Sequence, residues 1–431
     1  MRGHTYEARR HGRFQLRSHC LLRTTLKPRD PEVWQLPVDN DGVPERGRSL
    51  EELERAKQLG SEGLRASGSG DTDRALALFG QSRDLYEQVA PHSAGLAWVL
   101  TQTGIVYEGR GDLELALSYL ERALAIYDEV APSSRDAVLA VIRAGLVHQR
   151  RAEPASAVVC FERVLASAET VTQAPASMRR QLDSQRRQLE AIALLNLGLA
   201  HLTLGDLNLA LPCLERALGI QREASPGSRG EAAALNGIGQ VYLARGDLDR
   251  ALSYFSDALA VSQVLSPRSL DAATNLNGIG SVHRTRGELD RALGYFNQAE
   301  QILQEVAPRT DRAAGVAGNI ASVWLARGDL VQALSYAQQS LGIAKATHPR
   351  SVAAARASNV LGLVYFEQGE FAVALPLFEE ALDIAQAIGP RCYETAKALE
   401  NLAALHKARG EAEVAEAYAR RAQEAKAPPA Q

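Results

Sequence analysis

Apolar and small residues recur along the chain in one pattern that repeats every 41 residues. The pattern is clearest in residues 234–267, where an apolar segment containing Tyr242 leads to the sequence RGDL at 245–248 and then to Phe255 and Pro267. On both sides of the central RGDL the apolar residues keep the spacing of a helix, and no alternating strand pattern occurs. The sequence therefore predicts pairs of helices joined by tight turns.

The glycine of the central turn is the origin for comparing the copies. Eight of nine copies have Gly there, which fits a helix that ends in the left-handed conformation. The next residue is Asp or Glu in all nine copies, where it can cap or complement the start of the second helix. The origins, spaced by 41 residues with one interval of 53, are Gly70, Gly111, Ala152, Gly205, Gly246, Gly287, Gly328, Gly369 and Gly410.

Two columns of small residues flank each origin. The residue five after the origin is Ala in every copy, and the residue seven before it is Gly in seven copies and Ala in two, Ala321 and Ala403. We interpret both columns as places where two helices approach closely. Pro stands 21 residues after the origin in seven copies and marks the end of the second helix. Each repeat then contains a helix A of about 16 residues and a helix B of about 19 residues.

Twelve extra residues enter between the third and fourth origins. Residues 177–202 lack a helix breaker apart from the glycine of the −7 column, and their apolar residues keep helical spacing. We interpret this segment as helix A of repeat four, extended by about three turns and projecting with Arg179, Arg180, Arg186 and Arg187. An additional loop is the alternative.

The repeat columns cover residues 49–427 and leave a short tail at 428–431. Residues 1–48 have none of the columns, contain four Pro and begin with many basic residues, a composition that predicts disorder. A flexible arm, an organelle transit peptide and a start codon assigned too far upstream all fit this segment.

Hydrophobicity and charge narrow the classes of partner. The chain has neither an apolar run long enough to span a membrane nor a secretory signal, so we expect a cytoplasmic protein without a membrane partner. Eight Arg and Lys against one acid give residues 1–29 a charge of +7, which leaves −10 for the rest. Because nucleic-acid affinity depends on neutralising phosphates, an acidic body argues against DNA or RNA. The bias toward Ala, Leu, Gly and Arg is typical of a GC-rich genome and suggests a bacterial source.

These columns resemble the tetratricopeptide repeat, whose signature contains Leu-Gly-x-x-Tyr followed by Ala, Phe and Pro at helical spacings. Gly239, Tyr242, Ala251, Phe255 and Ala258 match it in order. The longer unit is similar to the repeats of kinesin light chain and of bacterial arrays joined to a caspase-like CHAT domain. The resemblance implies an all-α, right-handed α-solenoid of about nine helix–turn–helix repeats without a sheet. Helices A would line its concave face.

The residues with the greatest chemical potential fall in packing columns. Four histidines stand four residues before an origin, where other copies have Tyr or Trp: His148, His201, His283 and His406. Cys160 and Cys213 share a column in which other copies have Tyr. No acid, base or nucleophile constellation lies outside the columns. The sequence therefore predicts a protein that is not an enzyme and has no catalytic residue, metal site or cofactor.

A ladder of polar residues on helices A is the candidate binding site. In the tetratricopeptide family the groove is lined by positions that correspond here to 13, 10, 9, 6 and 3 residues before the origin. These positions hold an Asn in every repeat from four to nine, and amides can pair with the backbone of an extended peptide. The candidates are Asn196, Asn236, Gln240, Asn277, Ser281, Arg284, Asn319, Ser322, Arg356, Asn359, Lys397 and Asn401.

Two interpretations of the ladder remain open at this stage. In the first, the Asn side chains bind a peptide, and Arg284, Arg356 and Lys397 bind an acidic side chain or a C-terminal carboxylate of that peptide. In the second, the Asn side chains support the stack through hydrogen bonds between helices. Repeats one to three have apolar residues such as Trp98 and Ile142 on the same face, suited to an aliphatic side chain or a helix.

The expected function is a scaffold or adaptor that binds an extended segment of a partner protein or peptide. A peptide-responsive regulatory sensor is one alternative. A separate repeat subunit that serves a CHAT-type or other effector enzyme is another.

Overall fold

The computed structural model describes residues 46–168 and 176–426, which form 18 α-helices and no strand. Odd-numbered helices are the helices A of the repeats and even-numbered ones the helices B. Their bounds are α1 Arg46–Ser69, α2 Thr72–Val89, α3 Ala94–Arg110, α4 Leu113–Val130, α5 Arg135–Arg150, α6 Pro154–Ala168, α7 Ala176–Leu204, α8 Leu207–Ala224, α9 Arg229–Arg245, α10 Leu248–Leu265, α11 Leu270–Thr285, α12 Leu289–Val306, α13 Asp311–Ala326, α14 Leu330–Thr347, α15 Val352–Glu367, α16 Phe371–Ile388, α17 Tyr393–Ala408 and α18 Ala412–Lys426. The predicted all-α array of nine helical hairpins is confirmed.

The chain divides into two compact units. Residues 1–144 hold α1 to α4 and most of α5, with a core around Phe79, Leu100 and Tyr127. Residues 145–431 hold the end of α5 and helices α6 to α18. In this second unit, each helix A from α7 to α15 contacts the helix A of the next repeat as well as its own helix B. Helices A therefore line the inner side of the second unit.

The turn inside each hairpin has the geometry that its glycine predicts. All nine origins have positive φ, and Ala152, at 60°, is the one residue other than glycine with positive φ among those described. The acid after the glycine caps helix B in three repeats, where Asp71, Asp247 and Asp329 accept the N–H of the residue three positions later.

The small columns are contact points inside the hairpins, as predicted. A Cβ atom at Gly280 would lie 2.6 Å from the ring of Phe296, which is fully buried on the facing helix B. The equivalent glycines of six other repeats face a Phe or a Leu in the same way. Where Ala321 replaces the glycine, Ala337 replaces the aromatic residue. The pair therefore keeps its combined volume small enough for the hairpin to close.

Helix α7 is the longest in the array, with 29 residues. Its beginning at Ala176 means that the extra residues of repeat four extend helix A. Arg187 forms an ion pair with Glu223 at 3.2 Å, so at this point the helix lies beside its own helix B. The side chains of Arg179 and Arg180 lie outside the described residues. So do the tail and the N-terminal arm, except that α1 begins at Arg46, three residues before the predicted start of the array.

Candidate binding groove on the inner helices

Two histidines of the packing column stack on a tyrosine and bond to the acid of their turn. The ring of His283 stacks on Tyr295 with centroids 5.3 Å apart, and its Nδ1 lies 2.7 Å from Oε2 of Glu288, the acid that follows the turn glycine. His406 repeats this arrangement with Tyr418 and Glu411. The hydrogen bond with His283 holds the pKa of Glu288 below its usual value. No cluster of three or more metal-ligating side chains occurs within residues 46–168 and 176–426.

Asn236 of α9 is part of a buried hydrogen-bond network. Its Nδ2 donates to Oδ1 of Asn275 at 2.6 Å, and its own Oδ1 accepts from Nε2 of Gln240 at 2.6 Å. Asn275 continues the network to the hydroxyl of Ser262, which donates to the carbonyl of Ala258. Asn236 is only 8% exposed, so its side chain is buried between helices rather than open to the groove. The network joins repeats five and six and leaves little of this amide for a ligand.

The four Asn candidates of repeats six to nine form two pairs across neighbouring helices A. Nδ2 of Asn319 donates to Oδ1 of Asn277 at 2.8 Å, and Nδ2 of Asn401 donates to Oδ1 of Asn359 at 2.7 Å. All four are half-buried. Each pair uses one N–H and one carbonyl lone pair, so each still has a carbonyl oxygen and three N–H groups that can bond elsewhere.

Three other candidates are bonded within their own helices. Asn196, Ser281 and Ser322 each donate to the carbonyl four residues earlier, at 2.8 to 2.9 Å. Such bonds satisfy the donors of these side chains locally.

The three predicted cations lie on α11, α15 and α17 and differ in their partners. Arg356 donates to Glu394 at 2.6 Å, and the charge of Glu394 raises the pKa of the guanidinium. Lys397 donates to Glu400 at 2.9 Å, which raises its own pKa. Glu400 is shared with Lys426 of α18. We call Arg284, Arg356 and Lys397 the cation group.

Arg284 is the member of the cation group without an acidic partner among the described residues. Its Nε is buried and has no hydrogen-bond acceptor there. Burial lowers the pKa of the guanidinium, the nearby Tyr393 opposes this shift, and the positive charge of Arg356 adds to the lowering. An arginine keeps its proton at any physiological pH, so the site contains a partly desolvated charge whose Nε has no acceptor among the described residues.

Tyr393 belongs to this site although it was not among the predicted residues. Its side chain is exposed, and Nζ of Lys397 lies 5.8 Å from the centre of its ring. Tyr393 stands at the first residue of α17, one helical turn before Lys397. The groove positions taken from the family begin at Lys397 and therefore omit Tyr393. In this chain helix A is longer, and its first turn, which contains Tyr393, extends the inner face.

The apolar face predicted for repeats one to three is largely core. Trp98 packs edge-on against Phe79, with ring centroids 6.4 Å apart, and a Cβ at Gly60 would lie 3.0 Å from its ring. Ile142 is fully buried, and Thr101 is buried and donates to the carbonyl of Ala97. The structure thus assigns these side chains to packing between helices.

No helix in the described part of the chain is long and apolar enough to cross a membrane.

Comparisons with known proteins agree with this architecture. The family model for the tetratricopeptide repeat matches residues 66–129, 189–263, 230–305, 312–387 and 353–427. A Rap protein solved in complex with competence and sporulation factor is 14% identical, with a TM-score of 0.62 over 87% of this chain and 98% of that one. A tetratricopeptide repeat protein from Parabacteroides merdae is also 14% identical, with a TM-score of 0.51 over 72% of this chain and 99% of that one.

None of the curated proteins compared with the chain matches its sequence. The two structural likenesses show the fold. The family model matches well over half of the residues, and the chain therefore belongs to the tetratricopeptide repeat family.

Proposed function

We propose that the protein is a non-enzymatic scaffold whose inner helices in repeats six to nine bind an extended, acidic segment of a peptide or partner protein. Repeats of this family support protein interaction in general. The observation that carries the finer proposal is Arg284, a cation on the inner face whose buried Nε has no acceptor among the described residues. A carboxylate of the ligand would provide that acceptor.

Charge supports an acidic ligand. Glu394 and Glu400 balance Arg356 and Lys397, and Lys426 adds a further positive charge on Glu400. Arg284 has no counterion among the described residues, so these side chains together leave an excess of positive charge on the face. A guanidinium binds a carboxylate through two parallel hydrogen bonds, and such charge-assisted bonds are about twice as strong as neutral ones. A side-chain carboxylate and a C-terminal carboxylate share this chemistry.

The paired amides support an extended backbone. Asn277 with Asn319, and Asn359 with Asn401, retain N–H and C=O groups on the same inner helices as the cation group. A peptide backbone offers the complementary donors and acceptors at regular intervals, whatever its side chains are. The Rap relative is itself solved with a bound factor, which is consistent with ligand binding by this fold.

The test begins with a random peptide display pool, because the natural partner is not needed to define the ligand chemistry. Peptides selected on the parent protein should be rich in Asp and Glu. Calorimetry should then show that Arg284→Gln weakens binding of the selected peptide about tenfold to a hundredfold, since it removes a charge-assisted bond. A peptide made with a C-terminal amide distinguishes the two sources of carboxylate.

Arg268→Gln is the matched control, because Arg268 lies in the loop before α11 and its side chain is 62% exposed and paired with Glu305. It should leave the affinity unchanged. A selected pool without acidic enrichment, or equal affinities for the Arg284→Gln variant and the parent, would refute the proposed site.

A further inference from the structure

Two distant edges of the second unit touch each other. The turn between α7 and α8, at Leu204 and Gly205, meets the loop between α16 and α17, at 389–392. A Cβ at Gly205 would lie 2.9 Å from the carbonyl oxygen of Arg391 and 3.6 Å from Cα of Cys392. A Cβ at Gly389 would lie 3.5 Å from Cδ2 of Leu204. Repeat four thus contacts the junction of repeats eight and nine.

The turn of repeat three adds to this contact region. Ala152 packs against the apolar cluster that contains Ile388 and Cys392. It is also the alanine that replaces glycine at an origin, with φ at 60°. The turn requires a positive φ, which is unfavourable for any residue with a Cβ. The presence of Ala instead of Gly is consistent with a packing role for this Cβ.

At three positions of this contact, the residue differs from those at the same position in the other repeats. Each difference makes the contact less polar or less bulky. Leu204 precedes the turn glycine, where six of the nine copies have Arg. Cys392 stands where the other described helices A with a proline before them begin at a capping Ser or Thr, and it makes no capping bond through its side chain. Gly389 stands where other copies have a larger residue, and it is buried together with Cys392. An apolar residue, a thiol and a glycine thus replace polar or larger residues where these two edges meet.

We propose that this edge contact is a closure contact, which holds repeats four to nine as one closed superhelical turn and positions helix α17. Cys392 is the residue directly before α17. The first turns of that helix hold Lys397 of the cation group together with Tyr393 and Glu394, which contact the group. Gly205 is therefore a positioning residue for a site that it does not touch.

The closure contact also has a regulatory consequence, which rests on the proposed function. Closure holds α17, and with it Lys397 and Tyr393, near Arg284, and the positive charges oppose one another there. An anionic ligand between them offsets that repulsion and so favours the closed form. By linkage, a protein that is held closed binds the ligand more tightly.

Limited proteolysis without any ligand tests the closure contact by itself. Four loops carry the same Pro–Arg sequence before a helix A, and trypsin can cleave after Arg268, Arg309, Arg350 and Arg391. The last of them lies in the closure contact. In the parent protein we expect cleavage after Arg391 to be the slowest, because the bond is accessible only when the contact opens.

Gly205→Ala and Gly246→Ala form a matched pair of variants. Both glycines have positive φ, 89° and 80°, so both substitutions strain a turn equally, but a Cβ at Gly246 meets nothing within 4 Å. Gly205→Ala should raise the rate of cleavage after Arg391, relative to that after Arg309, by about tenfold or more, the effect of roughly 1.4 kcal/mol on the opening equilibrium. Gly246→Ala should leave this ratio unchanged.

Leu204→Arg is a second variant, which restores the residue that most other repeats have and so should keep the hairpin intact. It should raise the same ratio, because it places a charge in an apolar contact. Parent-like ratios in both the Gly205→Ala and Leu204→Arg variants would overturn the closure contact.

The positioning role has its own readout. Gly205→Ala, but not Gly246→Ala, should weaken binding of the peptide selected on the parent protein and speed hydrogen exchange at the start of α17. An opened loop with unchanged affinity and unchanged exchange in α17 would overturn the positioning role. Failure of the proposed peptide site would instead show as an unaffected Arg284→Gln variant, whatever the proteolysis result.

Discussion

The glycine–aromatic pair inside repeat six gives a sharp test of how the hairpins close. Gly280 on α11 faces Phe296 on α12, and a methyl group added to Gly280 would lie 2.6 Å from the ring. Favourable carbon contacts require about 3.5 to 4.0 Å, so the overlap is roughly 1 Å. Phe296 is fully buried, so its ring cannot turn out into solvent without leaving the core. Overpacking of this kind costs about 1–3 kcal/mol.

Gly294 in α12 of the same repeat is the matched control. It is exposed, and a Cβ there meets nothing within 4 Å. Both substitutions gain the same intrinsic helix preference of Ala over Gly, about 0.5–1 kcal/mol. Gly294→Ala should therefore stabilise the repeat by that amount, and the difference between the two variants should equal the overpacking cost of about 1–3 kcal/mol.

A double substitution tests the reason for the difference. Phe296→Ala alone should cost about 3–5 kcal/mol, because it leaves a cavity. In that background, Gly280→Ala should stabilise the hairpin, since the pair then matches Ala321 and Ala337 of repeat seven. The coupling between the two positions should be about 1–3 kcal/mol in the favourable direction.

Urea unfolding followed by circular dichroism, together with hydrogen exchange of α11 and α12, measures these effects. Exchange is needed because a repeat array can unfold locally, and a global transition then averages over several repeats. Equal stability of the Gly280→Ala and Gly294→Ala proteins, or additive effects in the double variant, would refute the packing argument.

Three further predictions concern stability. Asn236→Ala should destabilise the protein by about 1–3 kcal/mol, because it leaves the buried Oδ1 of Asn275 and the half-buried Nε2 of Gln240 without their partner. Asn359→Ala should cost only ~0.5–1.5 kcal/mol. Denaturant unfolding that gave the reverse order would contradict this. Burial lowers the pKa of His201, so the unfolded chain takes up a proton at about pH 6.5 that the folded protein resists, and stability should fall as pH decreases through that value. His201→Tyr should flatten the dependence of the melting temperature on pH there, and an unchanged slope would show that His201 is not the source. Arg286→Ala removes the ion pair with Asp249, whose carboxylate is 95% exposed, and should change stability by less than about 1 kcal/mol in the same unfolding assay; a larger loss would mean that Arg286 has another structural role.

Most of the fold could be predicted from the sequence because each repeat is stabilised by itself and its neighbours. The turn glycines, the alanine five residues later and the prolines at the ends of helices B reflect local backbone geometry and local packing. The same short pattern therefore recurs nine times. Even the contact of Gly280 with Phe296 has a trace in the sequence, since Ala321 and Ala337 change together in repeat seven.

The candidate site could be predicted less well. The inner position of Arg284, Arg356 and Lys397 follows from the helical period, but the partner of each side chain does not. Asn236 and Asn277 stand one repeat apart in equivalent places, yet Asn236 bonds to Asn275 and is buried, whereas Asn277 bonds to Asn319 and is half-buried. Sequence spacing places a side chain on a face of its helix. Its rotamer and the neighbouring repeat decide which amide it reaches.

The sequence by itself determined the helices, their turns and the small residues at which each hairpin closes, because all of these depend on residues close together in the chain. Only the tertiary structure decided that Leu204 and Gly205 meet the loop at 389–392. That contact depends on the small rotation between successive repeats, which accumulates over the array before the two edges come together. In the sequence, Leu204 and Cys392 are only exceptions to their columns. The contact gives the physical reason for both exceptions.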